Sequence, residues 1–151
     1  MMPSIRSAWT VAMVTLLGLA ACSSATPPTA PDAIPLDLAG PVPTGAGVTA
    51  RFVPTRYAVS GTATLAIENG VARLDFSQDF TIASTPGPIV YLNTTNNPNS
   101  GQPLRVAPLR SRSGSQRYTF QVPAGVRYGW IIIWCDPFNV PMAEASIPLT
   151  P

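Results

Sequence analysis

From Tyr57 onward, apolar residues recur at every second position over short stretches, and Pro, Gly and Asn interrupt each stretch before it reaches helical length. A strand sends alternate side chains to opposite faces, so this period predicts half-buried β-strands. Ala63, Leu65 and Ile67 alternate with Thr62, Thr64 and Ala66, and Ala72, Leu74 and Phe76 alternate with Val71, Arg73 and Asp75. Glu68-Asn69-Gly70 lies between them, and Asn and Gly tolerate the positive φ of a tight turn, so a β-hairpin is predicted. Further short strands are predicted at Phe80 to Ala83, Ile89 to Asn93, Leu104 to Leu109 and around Tyr118, Phe120 and Val122, with a polar loop over Asn93 to Pro103. Trp130 to Cys135 is apolar on both faces, as a central strand covered on both sides should be. Val140 to Leu149 carries Pro141 and Pro148, which suit an edge strand. No window shows apolar residues at helical spacing, and no internal repeat is visible. The expected fold is all-β, a small sandwich or barrel of about 95 residues.

The stretch before this domain has a different composition. Met1 to Ser7 carries Arg6, and Ala8 to Ala21 is apolar and uncharged. That run is shorter than the roughly 20 residues needed to span a bilayer, and it reads as a signal-peptide core. It ends in Leu19-Ala20-Ala21-Cys22, which resembles the lipobox of bacterial lipoproteins. The resemblance implies cleavage before Cys22, diacylglycerol on its sulfur and acylation, typically by palmitate, of the new amine. The alternative is an ordinary secretory signal followed by a chance cysteine. Ser23 follows, not Asp, which resembles an outer-membrane destination in a Gram-negative envelope; otherwise the plasma membrane, facing outward, is implied. Pro, Ala, Thr and Gly dominate Ser23 to Ala50, and proline lacks the N–H that ladders require. The resulting layout is a signal peptide over 1–21, a lipidated Cys22 and linker over 22–55, and a β domain over 56–151. The linker reads as an extended spacer, with a proline-motif ligand as the alternative.

Charge and histidine content exclude several functions. All nine basic residues are arginines and the formal net charge is +2, with no basic run or stripe, so nucleic acid is not an expected partner. There is no histidine, which removes Ser–His and Cys–His nucleophile pairs within the chain. With Cys22 lipidated, a single thiol remains, so neither an internal disulfide nor a Cys/His metal site can form. Asp75 and Asp79 invite a paired-carboxylate reading. On one straight strand their backbones would stand about 13 Å apart, whereas a glycosidase pair needs its carboxyl groups about 5–9.5 Å apart. A bend at Ser77-Gln78 would be needed to close that gap. The chain therefore reads against an enzyme with a His-based or paired-carboxylate site. Asn93-Thr94-Thr95 matches the N-glycosylation pattern by chance, and the aromatic residues read as core, with a sugar-stacking surface as the alternative.

Cys135 is the remaining chemical lead. As a redox residue it would need a nearby arginine, with Arg127, Arg117 and Arg73 as candidates, because its apolar neighbours and Asp136 disfavour a thiolate. As a structural residue it would be a small buried hydrophobe. Asp136-Pro137 suits a type I turn that ends the strand and leaves the thiol near the sheet rim, reachable by solvent or a partner.

The same stretches, in order, resemble the DM13 domain from about Ser60 to Leu149. Ile132-Ile133-Trp134-Cys135 is the strongest part, followed by Phe138, Val140, Ala145 and Ile147. Upstream, Gly61-Thr62-Ala63, Phe80, Pro86, Val90-Tyr91-Leu92, Leu109, Gly114, Gln116, Tyr118 and Val122-Pro123 keep the family order. The resemblance implies a β-rich electron-transfer or redox module with Cys135 as its reactive residue. Such domains often accompany haem-binding DOMON domains. No motif here encodes a cofactor, so haem or another iron centre would come through a redox partner protein. The chain departs from the pattern at Gly87, where an Asp is usual, and at Met142-Ala143, where an aromatic–Gly pair is usual; Tyr118 to Pro123 runs about two residues long. Two readings follow: a membrane-anchored redox module using Cys135, and an envelope binding or structural module in which Cys135 is packing.

Overall fold

The computed structural model describes residues 26–34 and 41–148. The signal segment, Cys22 and Leu149 lie outside the described residues. In chain order the strands are β1 (Val48–Arg51), β2 (Val53–Pro54), β3 (Val59–Ser60), β4 (Thr62–Glu68), β5 (Val71–Phe76), β6 (Thr81–Ile82), β7 (Pro88–Asn93), β8 (Leu104–Pro108), β9 (Gln116–Gln121), β10 (Trp130–Cys135) and β11 (Val140–Ser146). A short 3-10 turn, Asp136–Phe138, joins the last two. The fold is all-β, as the alternation requires. A four-stranded sheet (order β1-β4-β5-β9) packs on a five-stranded sheet (order β2-β11-β10-β7-β8), and β3 pairs with β6 beside them. Every pairing between these strands is antiparallel.

The hairpin β4–β5 turns at Asn69 (φ 51°) and Gly70 (φ 77°), the conformation those residues accept most readily. Its register sets Ala63 opposite Phe76 and Leu65 opposite Leu74, so the apolar set faces the other sheet. Phe52, Phe76, Phe80 and Tyr118 form an aromatic cluster in that interior, with ring centroids 4.8–5.7 Å apart. β10 is central, between β11 and β7. Ile131, Ile133 and Cys135 point into the main core, while Ile132 and Trp134 join Ile89 and Tyr91 in a smaller cluster on the outer face. β11 is almost an edge: β2 covers it only at Ala143 and Glu144.

Two features correct the expected layout. The region assigned to the linker, 22–55, supplies β1 and β2. One nearly continuous strand pairs first with β4 and then with β11, turning between the sheets at buried Phe52. Val48, Ala50 and Phe52 already alternate with Thr49, Arg51 and Val53, but the flanking Pro and Gly hide that period. In addition, residues 28–34 are docked on the domain. Asp32 bridges Arg105 in parallel, the Ala33 N–H donates to the Arg105 carbonyl (2.7 Å), and the Arg105 N–H donates to the Pro31 carbonyl (2.8 Å). Proline is tolerated there because an edge strand needs only part of its donors. Ala33 enters the main core and Ala30 packs on the outer cluster.

Candidate functional site

Cys135 ends β10, opposite Pro88 of β7 and Val140 of β11. The 3-10 turn begins at once, with Pro137 in its first positions and Asn139 in the left-handed region. The predicted break after the cysteine is therefore present, as a 3-10 turn. The sulfur is at the end of the strand, but it is not open to solvent: Cys135 is 1 % exposed. The backbone of Pro86 lies against it. The thiol donates a hydrogen bond to the Pro86 carbonyl at 2.9 Å, and Pro86 and Gly87 are themselves exposed. The loop, residues 83–87, is anchored along its length: the Ala83 N–H donates to the Ala58 carbonyl (3.1 Å) and Arg112 donates to the Ser84 hydroxyl. The Thr85 hydroxyl donates to the Met142 sulfur (3.0 Å), and the Asp136 N–H makes a long bond to the Gly87 carbonyl (3.4 Å).

The three arginines proposed as helpers do not serve Cys135. Arg73 and Arg117 both engage Asp75 on the outer face of the four-stranded sheet, across the sandwich from the thiol. Arg73 also donates to the carbonyls of Pro43 and Gly45. Arg127 precedes β10, so the full strand separates it from Cys135. Asp136 is adjacent in sequence but points to the opposite face. It accepts the Tyr91 phenol at 2.8 and 3.0 Å and pairs with Arg105 at 3.2 Å. Arg105 in turn pairs with Asp32 of the docked segment at 3.0 Å. Burial, then the bond to Asp136, raises the Tyr91 pKa well above its ordinary value. This network is not legible in the sequence, because its members come from four separate segments.

Other expectations resolve on the same structure. Asp75 is held between two guanidiniums and Asp79 sits in the exposed turn after β5, so no contact joins the two carboxylates. Asn93 of the glycosylation pattern is completely buried. Its amide donates to Thr95 Oγ1 and to the carbonyls of Asn97 and Ser100, and its oxygen accepts the Thr94 N–H, which folds the polar loop back on itself. That loop reaches over the outer cluster: Asn96 bonds Glu144, and Asn99 bonds Asn139, which also accepts the Trp134 indole N–H. Tyr91, Tyr118, Tyr128 and Trp134 are buried, which supports the core role over a sugar-stacking surface. Among the described residues no group of three His, Cys, Asp or Glu could hold a metal ion.

Gly87 has a local reason to be glycine. Its φ is +61°, and a Cβ there would stand 2.8 Å from the Pro137 ring. Replacing it by the Asp usual at this place, Gly87→Asp, is expected to destabilise the domain by about 2 kcal/mol, from a strained backbone plus displacement of Pro137. Urea denaturation checks this; an unchanged midpoint would show that the turn yields freely.

The fold and this position define a class: a small antiparallel β-sandwich whose one described thiol closes a central strand under a loop. The model of the family described as Electron transfer DM13 matches residues 51–147, and the chain belongs to the DM13 family. No curated protein matches the chain, and no solved structure does.

Proposed function

We propose that this protein is an electron-transfer module in which Cys135 exchanges electrons or thiol equivalents with a partner, and that lipid on Cys22 holds it on the outer side of a bacterial membrane. The observation that carries the first part is the position of the sulfur. It closes a central strand within the family match and donates to the backbone of an exposed loop at Pro86. A lone thiol cannot store two electrons as an internal disulfide, so its chemistry is a mixed disulfide, a sulfenic acid or ligation of a partner's iron. The bond from the Cys135 thiol to the Pro86 carbonyl fixes the sulfur against the loop at rest, and reaction requires the loop over Pro86 to lift. The anchoring part rests on the lipobox resemblance, and the membrane and a redox protein are then the partners. In a Gram-negative envelope the destination is the outer membrane; otherwise it is the plasma membrane, facing outward.

Native protein incubated with oxidised glutathione tests the thiol reading. Cys135 attacks the disulfide, one glutathione leaves as a thiolate, and intact mass reports the mixed disulfide. Thr85→Ala removes the Thr85–Met142 bond, worth about 0.5–1 kcal/mol, and is expected to speed the reaction about two- to fivefold. No adduct on the folded protein would end this reading. The second reading, a binding or structural module with Cys135 as packing, draws on its 1 % exposure and apolar neighbours. It expects Cys135→Ala to cost a few kcal/mol at most and to leave cellular function intact.

A further inference from the structure

The outer face of the five-stranded sheet carries a second group suited to one-electron chemistry. We propose that Tyr91 and Asp136 form a proton-coupled redox site. A strong one-electron oxidant, of the class of photo-oxidised tris-bipyridine ruthenium(III), takes an electron from the Tyr91 ring. The phenolic proton passes to the Asp136 carboxylate, leaving a neutral tyrosyl radical and a carboxylic acid. Re-reduction returns the electron to the ring and the proton to the phenol. This deepens the electron-transfer reading and does not depend on Cys135.

The geometry supplies each requirement. Tyr91 is fully buried, so an oxidised ring that kept its proton would place an uncompensated positive charge in a low-dielectric site. The phenol already donates to both Asp136 oxygens, at 2.8 and 3.0 Å, so the proton has an acceptor without rearrangement. Arg105 at 3.2 Å keeps that carboxylate in place. Burial and the Asp136 bond raise the phenol pKa, so tyrosinate is not available at neutral pH and electron and proton leave together. The groups facing Tyr91 are Asp136 from the 3-10 turn and Arg105 from β8, with Asp32 behind Arg105; Glu144 of β11 shares the face and bonds Asn96. Tyr118 is built differently. Its phenol donates to the neutral Gln116 amide oxygen, and the Arg110 guanidinium lies 4.9 Å over its ring, where a positive charge opposes oxidation. Register places Trp134 diagonal to Tyr91 on the same face, with backbones roughly 7–8 Å apart, and both side chains belong to the outer cluster.

The test is flash photo-oxidation of the purified full chain with a ruthenium tris-bipyridine sensitiser and persulfate, read by electron paramagnetic resonance and transient absorption. A tyrosyl radical is expected whose rate of formation is flat from mildly acidic to mildly alkaline pH, because its proton stays inside the protein. Tyr91→Phe should lose most of that signal. Asp136→Asn keeps the phenol but removes the acceptor, and should slow formation and make it rise with pH. Cys135→Ser should keep the signal unchanged, which separates this site from the thiol. No tyrosyl radical in the wild type, an equal signal in Tyr91→Phe, or an unchanged rate and pH profile in Asp136→Asn would each overturn the proposal and leave the thiol reading standing.

Discussion

Phe76→Ala is expected to lower the unfolding free energy by about 4 kcal/mol, a large share of the roughly 5–15 kcal/mol that holds a domain of this size together. Phe76 is 2 % exposed and lies at the centre of the aromatic cluster: it meets Phe52 edge-on at 5.0 Å, Phe80 at 4.8 Å and Tyr118 at 5.7 Å. Its partners come from the corner between β1 and β2, from the turn after β5 and from β9, so none can move in to fill the void without shifting a strand. Truncation removes the buried area and leaves a cavity, and the aromatic contacts are lost as well. Urea denaturation of the variant checks this. A loss below about 1 kcal/mol would mean that the cluster repacks and is not the centre of the core.

Cys22→Ser is expected to move the protein from the membrane fraction to the soluble fraction almost completely. Each buried methylene contributes about 0.8 kcal/mol, so two or more acyl chains hold firmly, whereas the described residues contain no helix long and apolar enough to cross a membrane. Labelled palmitate should enter the wild type and not the variant. The docked segment adds a geometric consequence. Because residues from about Thr29 pair with or pack on the domain, the stretch from Cys22 to Thr29 reaches at most about 25 Å fully extended. With lipid on Cys22, as proposed, the domain would be held close to the lipid surface, not lifted far from it. Retention of the Cys22→Ser variant on membranes would point to attachment through another surface.

Much of the architecture was legible in the sequence because it depends on local signals. Alternation marked β4, β5 and β9, the Asn69-Gly70 pair marked the hairpin, and the doubly apolar run from Trp130 to Cys135 marked the centre of a sheet. The first strand was hidden by surrounding Pro and Gly, although Val48, Ala50 and Phe52 carry the period. The docked segment was not legible, since Pro31 to Ile34 has no strand pattern and is held by the edges of β8 and β9. The site divides in the same way. That Cys135 ends its strand followed from Asp136-Pro137, but its cover, the Pro86 carbonyl, is 49 residues away and invisible to local reasoning. Neighbours in sequence also misled: Asp136 follows Cys135 but faces the other side of the sheet, where Tyr91 and Arg105 hold it.

The most direct test is the labelling rate of Cys135 by a small thiol reagent across sub-denaturing urea. If one loop shields the sulfur, opening it costs about 3 kcal/mol, labelling is on the order of a hundredfold slower than in the unfolded chain, and the rate hardly changes until the unfolding transition begins. A rate that climbs steeply from the lowest urea, in step with global unfolding, would show that the sulfur is reached only when the sandwich comes apart, and Cys135 would then be a packing residue.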